Sequence, residues 1–200
     1  MMIGCMQKCD CLASWRVEEF FFLKYLKQAA RIPLACLGPS NDMSVSWWNK
    51  ILNGKKILVI SPFAELVEKQ YNSPYRKNIW KNPEILPDFE SLETIKAENS
   101  IGGHSAFDSW IEALEHMENE IDKKDFDIAL LGCGSYGFPL AAYIKGIGKK
   151  AVHIGGSLQL IFGIKGKRWD NMGFYNEFWV SPRAEDRPEG WEKVEGGCYW

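Results

Sequence analysis

The chain has 200 residues, 46% hydrophobic and 25% charged, which is enough apolar material for one ordinary buried core and excludes a disordered chain. Its 24 Lys and Arg against 26 Asp and Glu leave a net charge of −2, so nucleic acid is not an expected partner and any basic site must be local. With no apolar run of about eighteen residues and no charged-then-apolar leader, the chain reads as cytoplasmic and without a transmembrane segment.

Residues 1–14 have weak periodicity and no evident role. Cys5, Cys9 and Cys11 crowd there, but no C-x-x-C pair or histidine at zinc spacing joins them, and the six cysteines read as unpaired, reduced thiols. Residues 17–30 are rich in aromatic and helix-forming types, with Ser14 placed to cap and Glu18 and Glu19 in the first turn, which predicts a helix. Residues 32–37 read as a short edge strand because of Pro33. Trp47-Trp48 falls in a predicted helical turn before Asn53-Gly54.

Ile57-Leu58-Val59-Ile60 is the first clear strand, and residues 64–71 follow as a helix. Residues 72–88 carry Pro74, Pro83 and Pro87 and predict a surface loop with at most a short helix. Residues 92–99 alternate as a half-buried strand, closed by Gly102-Gly103. Ser105 to Asp108 reads as a capped start for a helix whose Phe107, Trp110, Ile111, Leu114, Met117 and Ile121 share one face. Residues 127–131 and 151–154 are further short apolar runs, so strand and helix alternate from Ile57 to Ile154. That alternation predicts one α/β domain over residues 1–200, Rossmann-like, with a mostly parallel sheet and helices on both faces. Residues 173–200 are irregular and aromatic-rich, and are expected to pack across the domain, over the glycine turns.

The candidate site lies in residues 127–169. After the first strand come Gly132, Gly134 and Gly137 at G-x-G-x-x-G spacing, with Ser135 and Tyr136 between them. Glycines at a parallel strand's carboxyl end let backbone N–H groups approach a ligand, and the helix that follows favours negative charge, so a phosphate-bearing ligand is expected. The second strand repeats the device with Gly155, Gly156 and Ser157, the serine placed to cap residues 158–162. Lys165, Lys167 and Arg168 supply three cations within four residues and could neutralise a diphosphate. His153 and His104 stand at strand ends where a base or phosphate donor would sit, whereas His116 lies on an exposed helix side. An NAD(P)- or flavin-binding oxidoreductase is an alternative, but the acid that would hold a ribose is replaced by Val152-His153-Ile154-Gly155.

The run LLGCGSYGFPLAAYIKGIGKKAVHIGGSLQLIFGIKGKRW, with KKILVISPFAELVEKQY and the closing EGGCYW, resembles a family of bacterial surface-polysaccharide biosynthesis proteins related to GT-D-fold glycosyltransferases. The likeness runs from about Trp15 to Trp200. It implies a nucleotide diphosphate-sugar donor, a glycan or lipid-linked acceptor, and a divalent metal among the groups the site can use. Similar members carry a D-x-E-like motif near the amino end and usually a further amino-terminal segment, so this chain is expected to be a shortened relative or one whose first strands are missing. The chain is therefore expected to be either a working transferase or a shortened, inactive member. A non-enzymatic partner of a polysaccharide assembly complex is a further alternative.

Overall fold

The computed structural model describes residues 1–39, 48–98 and 105–200; Trp47, Gly102, Gly103 and His104 lie outside them. The amino-terminal segment forms a small layer of its own. Helix α1 (Met2–Met6) leads into strand β1 (Cys11–Ser14), which pairs in parallel with β2 (Ala30–Pro33). Two expectations are corrected here. Residues 1–14 do have a structural place, and the helix predicted over residues 17–30 is a 3-10 segment, Val17–Tyr25, that buries no side chain. The reason is local: Phe20, Phe21 and Phe22 are consecutive, so they cannot share one face, and no apolar stripe holds an α-helix against the domain. Glu19 instead reaches back to the Ser14 hydroxyl and to the N–H groups of Trp15 and Arg16 (2.9 and 3.0 Å). The predicted strand over residues 32–37 begins earlier and ends at Pro33, after which Leu34–Cys36 is a 3-10 turn.

The main sheet is built on β3 (Lys56–Ser61), whose Ile57 to Ile60 are all buried because they face protein on both sides. β4 (Ser91–Lys96), β5 (Ile128–Leu131) and β6 (Lys150–His153) complete a four-stranded parallel sheet in the order β4-β3-β5-β6. The chain steps outward from β3 to β4 through α2 (Ala64–Tyr71). It then crosses back over β3 to β5 through α3 (Trp110–Asp122), and reaches β6 through α4 (Gly137–Gly146). Since parallel crossovers share one hand, reversing direction after β4 puts α2 on one face and α3 and α4 on the other.

The side chains divide accordingly. Leu66 and Val67 of α2 join Ile57, Val59, Ile128 and Leu130 in one core, while Leu114, Met117 and Ile121 of α3 and Leu140 and Ile144 of α4 join Leu58, Ile60, Ala129 and Leu131 in the other. The cap of α3 is Ser109, whose hydroxyl accepts from Glu112 N–H at 3.1 Å, and not Ser105. Residues 72–88 are not the surface loop predicted. Ile79, Trp80, Ile85 and Leu86 are buried, and the Trp80 indole N–H donates to the carbonyls of Leu160 and Ile161, each at 3.1 Å. The amino-terminal layer is tied to α4 by Lys145, which donates to Lys8 O (2.8 Å) and Asp10 (2.6 Å).

Candidate functional site

Reversal of the strand order between β3 and β5 leaves a crevice beyond their carboxyl ends, the place where open α/β sheets bind ligands. A cavity of about 300 Å³ occupies it. Ser61, Pro62 and Phe63 line it from the end of β3, Glu98 from beyond β4, and Gly132 to Tyr136 from the end of β5. Gly155 and Gly156 line it from the end of β6. Both glycine turns therefore open on one edge and into one space. Beyond Gly155–Ser157, the short helix α5 (Leu158–Ile161) contributes Leu158 and Gln159 to the same wall.

The local geometry explains each turn. Gly134 (φ 56°) and Gly155 (φ 65°) adopt left-handed backbone that other residues resist, and a side chain at either would meet open space. Gly134–Tyr136 is a 3-10 turn that runs straight into α4, so Gly134 and Ser135 stand where a helix leaves its first N–H groups without intrahelical partners. The Ser135 hydroxyl accepts from the Trp110 indole at 3.0 Å, and Tyr136 is buried in a stack on Trp110 with ring centres 4.9 Å apart. Cys133, between the glycines, is buried, and burial pushes its thiol up to about 12, which leaves it without thiolate to act as a nucleophile.

Other predicted residues fall elsewhere. Gly137 does not line the cavity; it packs against the His153 ring. His153, in register with Leu131, turns to the sheet face covered by α3 and α4 and is not in the cavity lining, and burial lowers its pKa to about 4. Among the described residues its Nε2 has no hydrogen-bond partner. His153 is thus not placed to serve the cavity as a base or phosphate donor. Ser157 makes no side-chain cap and is not in the lining. His116 is exposed and lies against Phe107, with ring centres 4.9 Å apart.

The basic cluster is also displaced from the cavity wall. Lys165 reaches over the Tyr175 ring (5.5 Å), Lys167 is exposed, and Arg168 bonds Glu195 and Tyr199. The physical reason is Gly166. It sits tightly against Gln159 and the buried Trp169, while the Lys165 N–H pairs with Val180 O at 2.8 Å, which turns the lysines outward.

Sequence reasoning missed Phe63, Glu98, Gln159 and Glu195, which come from four separate segments. Glu98 could have been found by asking which acids follow a parallel strand. Val194, Glu195, Tyr199 and Trp200 roof the cavity; Tyr199 packs on Gly156, and Trp200 lies edge-on to Phe63 with ring centres 6.0 Å apart. Burial pushes the Tyr199 hydroxyl above its ordinary pKa. Among the described residues, the charged side chains of the lining are therefore two carboxylates, Glu98 and Glu195.

Among the described residues no three His, Cys, Asp or Glu side chains converge as a metal site, all six cysteines are unpaired, and no helix is long and apolar enough to cross a membrane. Comparison of the chain with protein-family models, with curated proteins and with solved structures finds no match.

Proposed function

We propose that the cavity is the donor site of a nucleotide-sugar-dependent glycosyltransferase of bacterial polysaccharide biosynthesis. One observation carries the reading: two glycine turns at neighbouring parallel strand ends open into one cavity at the strand-order reversal, beside the amino terminus of α4. Backbone N–H groups there suit a diphosphate, which needs close approach and partial positive charge more than it needs side chains. Trp200, partly exposed in the wall beside the buried Phe63, offers an aromatic surface to a base or a sugar ring. In the reaction, an acceptor hydroxyl attacks the anomeric carbon, its proton passes to the Glu98 carboxylate, and the bond to the diphosphate oxygen breaks. The resemblance read from residues 130–169 to the polysaccharide family is in keeping with the same assignment. Against a dinucleotide, the position of the ribose acid at the end of β6 is held by His153, which carries no carboxylate and does not line the cavity.

The test is a thermal-shift and calorimetric screen with UDP-, GDP-, CMP- and dTDP-sugars beside NAD(H), each with and without Mn²⁺. Stabilisation by one nucleotide-sugar class is expected. Stabilisation by NAD alone sinks the transferase reading, and a response to none points to a non-enzymatic partner. With the donor identified, Glu98→Gln should keep donor binding and lower turnover by roughly 10²- to 10⁴-fold.

A further inference from the structure

An anionic ligand in this cavity faces a difficulty, because among the described residues the charged side chains of the wall are Glu98 and Glu195. Its resolution lies one layer back. Arg168 donates from Nη2 to Glu195 Oε2 and from Nη1 to the Tyr199 hydroxyl, both at 2.7 Å, and its guanidinium lies 5.2 Å from the Tyr199 ring centre. Glu195 and Tyr199 line the cavity and Arg168 does not, so the carboxylate and the phenol screen the cation from the ligand space.

The strap that carries them is held in an unusual backbone. Glu195 (φ 47°) is the one non-glycine residue with positive φ among those described, and Gly196 (67°) and Gly197 (71°) continue in the same region. A side chain at such a φ is strained, so the surroundings must hold it there. Local bonds shape the turn, with Gly197 N–H donating to Val194 O (2.8 Å) and Trp200 N–H to Gly197 O (3.1 Å), and the strap is tied down by Arg168 to Glu195, Arg168 N–H to Cys198 O (2.9 Å), Gln159 to Tyr199 O (3.1 Å) and the Trp200 indole to Asp186 O (3.2 Å). The ion pair itself is about half exposed on each side, and exposed pairs hold by little.

We propose that Glu195 is an internal stand-in for the ligand's phosphate on Arg168, and that a diphosphate binds by exchange. The carboxylate leaves the guanidinium, the strap relaxes, and a phosphate takes the paired donors in its place. One exchange removes a negative charge from the wall and exposes a positive one. It also gives Arg168 a role in binding, while Lys165 and Lys167 stay outside. The inference rests on the phosphate reading of the cavity.

Calorimetric titration of inorganic pyrophosphate and of UDP into wild type, Glu195→Gln, Glu195→Gly, Arg168→Ala and the Glu195→Gln/Arg168→Ala double variant tests it. Melting temperatures establish that each is folded, and glycine suits the backbone at 195 where a misfolded glutamine variant would be uninformative. The expected result is affinity about tenfold tighter in both Glu195 variants, with the gain lost in the double variant. Binding by Glu195→Gln where wild type binds too weakly to measure counts the same way. Wild-type binding unchanged by either Glu195 substitution overturns the exchange and leaves the phosphate reading standing, as does a gain that survives loss of Arg168. Binding by no variant overturns both.

Discussion

The two glycine turns leave neighbouring strands on the same edge of the sheet, yet their glycines are there for different reasons. In the first turn, Gly132 is pressed against Leu158 and the Gly155 carbonyl, Gly134 is open, and Gly137 lies on the far face under His153. In the second, Gly155 is open and Gly156 is covered by Tyr199 and Trp169. One glycine in each turn supplies the left-handed backbone that faces the cavity, and the others admit a neighbouring atom. A glycine-rich spacing that looks like one ligand cradle is therefore part cradle and part packing.

Substitutions sharpen that division. The largest effect is expected at Gly132→Ala, whose Cβ would lie 2.8 Å from Leu158 Cβ and 2.9 Å from the Gly155 carbonyl oxygen. Backbone has to move, and we expect a loss of about 3 kcal/mol or more in urea unfolding. A loss under about 0.5 kcal/mol would mean the two turns are not packed together.

Next comes the far face. Burial holds His153 at a pKa of about 4, below its ordinary 6.5, so the fold keeps the ring neutral. Between those values the unfolded chain binds more protons than the native one, and stability falls as pH drops. The contribution is fully present above pH 6.5 and lost by about pH 4, on the order of 3 kcal/mol in all. His153→Gln should flatten that part of the melting-temperature profile; an unchanged profile would place the titration elsewhere.

Gly134→Ala meets open space and suffers only the left-handed backbone, so a cost of about 1 kcal/mol is expected, equal to that of Gly155→Ala. Markedly different costs would show the two cradle positions to be unlike after all. The smallest effect belongs to Lys165→Ala and Lys167→Ala, whose side chains lie outside the cavity wall. Affinity for UDP should stay within about 0.5 kcal/mol of wild type in titration.

What the chain discloses in advance follows the range of the forces involved. The Ile57 to Ile60 run and the apolar stripe of α3 are readable because burial on both sides of a strand, or on one side of a helix, writes its own period into the residues. The choice between Ser105 and Ser109 as cap is not readable. It turns on Trp110, which is fixed by stacking on Tyr136 and bonding Ser135, twenty-five positions away. His153 shows the same limit: its place at a strand end was legible, but the face it turned to depends on pairing with Leu131. The amino-terminal aromatics mislead because helix-forming composition without an apolar stripe gives no packing. Trp15, Phe20 and Phe21 remain 66–74% exposed.

The scattered origin of the cavity wall has a kinetic consequence. Its residues come from positions 61–63, 98, 132–136, 155–156, 158–159, 194–195 and 199–200, so closing it requires contacts between parts of the chain more than a hundred residues apart. Such contacts carry a large loop-closure entropy and tend to form late. A ligand that needs the whole wall then has little to hold in the folding transition state and everything to hold in the native one. It should slow unfolding in proportion to its occupancy while leaving the refolding rate nearly unchanged.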